Sequence, residues 1–272
     1  MHLQQSASEL NHGEYPATAA MTTGYVFRVE NQATVSFLQN IGSTGRLTTV
    51  NVRASPKRVN FSDAKSVLGL LLYVCTVLMT LAAVVYALVI ADWWVLIAFL
   101  CLMVSRFINI KIFKDRAVSQ WYGAKEPGVN GDLLVLLSQD RWIRLKGPVD
   151  ALKAVTSGRW LRDMTRQERS AENVAKMLVY ACAAIPAPNA TSAGNLALVC
   201  VLLGSALLLG CANMLINTET LFMHDCVLAV KERSKQYVRR LDLSHELIKE
   251  TGRDDWARQL GMIKGDAVNV TM

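Results

Sequence analysis

From Ser66 to Ile110 the chain runs for 45 residues with only Asp92 and Arg106 charged. As one helix that stretch would extend about 67 Å, at roughly 1.5 Å per residue. The hydrocarbon layer of a bilayer is about 30 Å thick, so tilt cannot absorb the excess. Two spans fit, Ser66 to Ile90 and Trp93 to Ile110, with the chain reversing at Asp92. Buried in mid-membrane that aspartate would be costly. In a turn at the bilayer surface it costs little, and Trp93 and Trp94 then sit at interface depth, where indoles concentrate. Arg106, near the end of the short second span, snorkels towards the headgroups.

A second apolar region covers Val174 to Ile216. Gly194 to Ile216 reads as a span of 23 residues without charge. Before it, Met177 to Ile185 gives nine apolar residues, and then Pro186 and Pro188 intervene. Such a length also suits a re-entrant or interfacial segment. Charge decides between the two. Arg53, Lys57, Arg58 and Lys65 precede the first pair of spans, and Lys111, Lys114 and Arg116 follow it. Arg159, Arg162, Arg166 and Arg169 precede the second region; Lys231, Arg233, Lys235, Arg239 and Arg240 follow it. The Asp92 turn and the loop from Pro186 to Asn195 contain no Lys or Arg. The positive-inside rule then sends the third segment across the bilayer and leaves both termini in the cytosol. The expected fold class is a mainly α-helical, multi-pass membrane protein. Its four transmembrane helices form two hairpins, 66–110 and 174–216, beside a small cytosolic α+β module and a cytosolic C-terminal amphipathic helix.

Composition agrees with this layout. Hydrophobic residues make up 52% of the chain and the mean hydropathy is +0.25. The apolar weight is clustered, as membrane spans with polar flanks require. The net charge of +7 gathers at the ends of the apolar segments, which points to topology signals and the lipid bilayer rather than to nucleic acid. Five of the six cysteines lie in apolar segments at no metal-ligand spacing, so they read as small hydrophobes. The first twenty residues hold no apolar run, so no cleaved signal peptide is expected. Sequons at Asn60, Asn189 and Asn269 read as chance occurrences.

Between and beyond the spans, Met1 to Thr23 is polar and patternless, which predicts a disordered N-terminus. Residues 24–65 are β-rich: YVFRVEN, ATVSFLQN and RLTTVNV read as strands, the last two forming a hairpin across NIGSTG. In the 111–173 loop module, DLLVLLS and RWIRLKG read as two strands joined at Gln139-Asp140. PVDALKAVTSG follows as a helix, with Pro148 first and Gly158 last. Leu133 to Leu137 is continuously apolar and calls for cover on both faces, from the short helix and from the underside of the membrane helices. Residues 217–272 are expected to be a tail helix. Val227, Ser234, Leu241 and Ile248 recur every seven residues, with Val230, Tyr237 and Ser244 three beyond the first three. That stripe either packs on the chain's own module or pairs subunits, as a homo-oligomer or with another protein. Ala267 to Met272 reads as a strand or a frayed end.

Chemistry is thinly supported. No HExxH, GxSxG, GxxxxGK[ST], CxxC or GxGxxG occurs, and no metal or cofactor is expected. Ser244-His245-Glu246 has triad residue types, but neighbours on a helix diverge. His224-Asp225 beside the fourth span is a weak acid–base candidate. The polar groups within the spans are few: Arg106, Lys176, Asn109 and Asn213. This weighs against ion-coupled transport. Ala206 and Gly210 suit close helix packing. The cluster Arg141, Arg144, Lys146, Lys153, Arg159, Arg162, Arg166 and Arg169 serves either topology and solubility or contact with anionic lipids. The role expected from these features is non-catalytic: an interaction, scaffolding or regulatory subunit in a membrane. A small channel or transporter subunit, with its pore formed by oligomerisation, is the alternative, and a membrane-embedded enzyme the third.

Overall fold

A computed structural model describes residues 6–54, 64–117, 123–158, 160–184, 186–215, 219–223 and 226–264. The chain divides into two units. One comprises Met1–Arg58, Ser119–Trp160 and Thr218–Met272, the other Val59–Val118 and Leu161–Asn217.

The first unit is built on a mixed seven-stranded sheet. Its strands are β1 (Ala17–Ala20), β2 (Val26–Arg28), β3 (Arg46–Ala54), β4 (Asn130–Leu137), β5 (Arg141–Pro148), β6 (Thr220–Met223) and β7 (Cys226–Gln236). Their order is β2-β1-β4-β5-β3-β7-β6, and only the β3–β5 pair is parallel. The strands expected at DLLVLLS and RWIRLKG are β4 and β5. Gln139 and Asp140 between them have φ of 63° and 51°, the left-handed backbone that a tight hairpin uses. Gly147 lies where β5 crosses close to β3: a Cβ there would stand 2.2 Å from the Val52 carbonyl oxygen, so only glycine fits.

The continuous apolar run of β4 is divided between two cores. Leu133, Val135 and Leu137 face helices α1 (Ala7–Leu10), α2 (Gln32–Ile41) and α5 (Val149–Thr156). Leu134 and Leu136 face the opposite way, against Leu243 and Leu247 of α9 (Arg240–Thr251) and Trp256 of α10 (Asp255–Gln259). The expected cover by the short helix is therefore present as α5, and the second face is covered by the tail's own helices.

Three sequence expectations are corrected. ATVSFLQN is not a strand but α2. The buried side chain of Asn31 caps it by accepting from the amides of Ala33 and Thr34. Thr34, Phe37, Leu38 and Ile41 follow helical spacing, which outweighs the β-branched composition. The segment expected to be disordered from Met1 to Thr23 contains α1, closed by a Ser6–Glu9 capping box, and β1, whose Ala19 is fully buried. The tail over 217–272 is not one helix. Its first described elements are β6 and β7, where Cys226, Leu228 and Val230 alternate into the first core. Helix returns only at α9, whose buried residues are Leu243, Ser244 and Leu247, of which only Ser244 belongs to the expected stripe. Ala267 to Met272 lies outside the described residues.

The second unit is helical: α3 (Ala64–Val89), α4 (Trp93–Arg116), α6 (Arg166–Ala184), the single turn α7 (Pro186–Asn189) and α8 (Ser192–Leu215). Three helices are long and apolar enough to cross a membrane, over Val67–Val89, Trp93–Arg116 and Ser192–Met214. Their outward residues, among them Leu78, Phe107 and Leu203, are large, apolar and exposed. A water-soluble surface would not carry apolar faces of this extent. The chain is thus a membrane protein.

Asp92 sits at the α3–α4 turn, as expected. Its Oδ1 accepts from the Val95 amide as the α4 N-cap, and its Oδ2 accepts from the Thr191 amide and hydroxyl, each at 2.8 Å. The α4 and α6 helices run antiparallel, side by side. Cys182 donates to the Ala98 carbonyl at one end, the Ser105 hydroxyl to the Ala175 carbonyl midway, and Arg116 to the Arg162 carbonyl at the other end. Small residues at the first two of these contacts let the backbones approach.

Candidate functional site

The residues expected to meet anionic lipid fall in both units. In the sheet unit they are largely consumed by internal partners. Arg144 on β5 is 7% exposed. It forks onto Asp132 of β4, with Nε–Oδ1 at 2.9 Å and Nη2–Oδ2 at 2.6 Å, and its Nη1 reaches Glu250 of α9 at 2.6 Å. Lys146 adds looser contacts to the same two carboxylates, at 3.7 and 3.8 Å. Arg144 therefore joins two adjacent strands to the helix that covers them. Its hydrogen bond holds the Glu250 carboxyl below the ordinary glutamate range, against a smaller upward pull from burial. Arg141 donates to the carbonyls of Ser138 and Gln39, tying the β4–β5 turn to the end of α2. Both arginines are thus engaged by partners within the chain, Arg144 by two carboxylates and Arg141 by two carbonyls.

In the helical unit Arg162 pairs with Glu168 at 2.5 Å. Glu168 also forms a reciprocal cap with Thr165 at the start of α6. Arg166 and Arg169 are exposed on the first turn of α6. Arg159 lies outside the described residues, as do His224 and Asp225. Ser244 is buried and donates to the Leu241 carbonyl, while His245 is exposed, so the two side chains diverge as helix geometry requires.

Two concave sites stand out. At one end of the sheet an open depression is lined by Thr22, Asn51, Arg53, Asn130, Asp132 and Lys146, among others. Among the described lining residues the one carboxylate, Asp132, is paired with Arg144. The second site is a groove along the α4–α6 seam, lined by Leu102, Ser105, Arg106, Asn109, Ile110, Phe113 and Val179. The α4 members lie at spacings of three and four, a single helical stripe. Arg106 is exposed and has no ion pair or hydrogen bond among the described residues. On insertion scales an arginine at the centre of a membrane helix costs about 2.5–3.5 kcal/mol, so an unpaired one calls for a partner.

The sequence singled out Arg106 as a snorkelling residue but not as part of a site, because the groove exists only once α6 lies beside α4. The Arg144–Asp132 pair had a signal: the β4–β5 turn fixes a register in which Asp132 faces Lys146, one step diagonal to Arg144. Glu250, 106 residues further on, had none. Among the described residues no group of three or more His, Cys, Asp or Glu is placed to hold a metal. No protein-family model, curated protein or solved structure matches this chain.

Proposed function

We propose that the chain is a four-crossing membrane protein with both termini cytosolic, and that its sheet unit is a non-catalytic interaction module. The observation that carries this is the origin of the sheet. Strands β1 to β3 precede α3, β4 and β5 lie between α4 and α6, and β6 and β7 follow α8. One hydrogen-bonded sheet cannot be threaded through a bilayer, so all three segments share a side. With α3, α4 and α8 as the only crossings, β7 would end opposite β3, its partner over eight residue pairs. A fourth crossing restores the parity, and α6 supplies it. Its length of 19 residues and its antiparallel contacts along α4 support that role. The Lys and Arg distribution supports a cytosolic sheet.

The interaction role rests on how the sheet is finished. Both of its faces are filled by the chain's own helices. Its edge strands β2 and β6 each pair on one side only among the described residues. Tyr25 beside β2 is 68% exposed and stacks on Phe27, and Phe222 on β6 is 59% exposed. Open edges with exposed aromatics are what strand-adding partners use. The test is purification in mild detergent with analysis of mass and bound proteins. A stable stoichiometric assembly, abolished by Phe222→Asp or Tyr25→Asp at unchanged melting temperature, is expected. A monomer that conducts ions in planar bilayers would overturn the proposal.

A further inference from the structure

We propose that the groove between α4 and α6 is a binding site for one anionic phospholipid, with its phosphate on Arg106 and Asn109 and an acyl chain along Leu102 and Val179. The inference uses the membrane placement of α4 and its packing with α6, and does not depend on the interaction role of the sheet.

Depth is the first argument. Arg106 lies 13 residues beyond Trp93, about 20 Å at roughly 1.5 Å per residue. A hydrocarbon layer of about 30 Å starting at Trp93 ends near Phe113. The Arg106 Cα is then about 10 Å inside the boundary, and its side chain extends towards the phosphate layer as snorkelling arginines do. Charge is the second argument. The described residues give Arg106 no acidic partner, whereas Lys176, at comparable depth on α6, is paired with Glu172 at 2.9 Å. A guanidinium with five donors matches a phosphate diester, and the Asn109 amide, one turn away, adds another donor.

Shape is the third argument. Leu102 lies one turn from Arg106 towards the bilayer centre, and Val179 forms the facing wall. An acyl chain laid there would continue inward from a phosphate held at Arg106. Ser105 is unavailable to the headgroup because its hydroxyl donates to the Ala175 carbonyl, which fixes the floor of the groove. The occupant is thus a lipid with a negatively charged headgroup: the cation selects the charge, and the apolar wall selects a molecule that brings its own chain.

The test uses the full chain in nanodiscs holding equal phosphatidylserine and phosphatidylcholine, with retained lipid read by native mass spectrometry. The wild-type protein is expected to keep phosphatidylserine over phosphatidylcholine by about tenfold, the scale of one charge-assisted contact. Arg106→Gln should remove that preference and Arg106→Lys should restore part of it. Val179→Trp, at a half-exposed position, should fill the groove and lower retention of both lipids with Arg106 intact. Equal retention by the wild type, a preference that survives Arg106→Gln, or retention indifferent to Val179→Trp would each overturn the proposal. So would displacement of the retained lipid by excess inorganic phosphate, which would indicate an ion site rather than a lipid site. Release of the chain from membranes by alkaline carbonate would instead defeat the membrane placement itself.

Discussion

At the scale of single residues, two positions set how tightly each unit closes. Gly194 sits where α8 meets the Asp92 turn. A Cβ there would lie 2.4 Å from Asp92 Oδ2 and 2.8 Å from Val95 Cγ2. Asp92 Oδ2 cannot yield without giving up its two hydrogen bonds from Thr191. Gly194→Ala should therefore destabilise the helical unit by about 1–3 kcal/mol, the usual cost of overpacking. Gly210→Ala, with nothing within 4 Å, should leave it unchanged. Thermal melting of the two variants in detergent, side by side, checks the contrast. In the sheet unit, Arg144→Leu leaves the Asp132 carboxylate, which is 16% exposed, with only the looser Lys146 contact at 3.7 Å. That should cost about 3–5 kcal/mol, and adding Asp132→Leu should recover much of it. A double-mutant cycle by urea denaturation would read this directly. Glu250→Gln should cost far less, because that side chain is half exposed and solvent screens the pair.

A third residue gives a pH signature. Burial of the Tyr237 phenol, together with the nearby Glu246 charge, pushes its pKa up to about 12. Folding favours the neutral phenol, so its contribution is fully present below the ordinary tyrosine value of about 10 and is lost as pH rises through about 12. An ionisation step near pH 12 is therefore expected for Tyr237, read by absorbance at ~295 nm, where the phenolate absorbs. Tyr237→Phe should remove that step.

At the scale of elements, the helix α2 shows how a cap can override composition. Asn31 accepts from two helix amides, and its amide donates to the Gly158 carbonyl just beyond α5. Thr34 donates to the Val155 carbonyl at 2.6 Å. Asn31→Ala removes the cap and leaves a buried carbonyl unpaired, so a loss of about 1–2 kcal/mol is expected. Hydrogen exchange should show faster opening of the Ala33 and Thr34 amides, with little change in β4.

This element also marks where the sequence stops being legible. Asp92, the β4–β5 turn and α5 could be read because each depends on local chemistry: a polar break in an apolar run, a tight turn, a proline start. The strand β1 is four small residues, ATAA, and becomes a strand only by pairing with β4 more than a hundred residues away. The strand β7 repeats apolar residues with period two over a stretch that also fits a period of seven, and only its pairing with β3 selects the strand. Arg106 was visible as a charge in an apolar helix, but the wall facing it belongs to α6.

At the scale of the whole molecule, parity is the constraint that ties the elements together. The described sheet takes strands from before, between and after the apolar helices, and the proposed fourth crossing is what would leave all of them on one side. The Asp92–Thr191 contact joins the α3–α4 turn to the start of α8, which is the arrangement expected if both turns lie at the same membrane surface. Cysteines placed at Ala91, at Pro188 in α7 and at Lys249 on α9, all exposed positions, separate the possibilities. With an impermeant maleimide on sealed vesicles, Ala91→Cys and Pro188→Cys should label from one side and Lys249→Cys from the other. If α6 lay on the surface without crossing, Pro188→Cys would label from the side opposite Ala91→Cys. The C-terminal strands would then face away from β3, and the seven-stranded sheet could not form in the membrane-inserted protein.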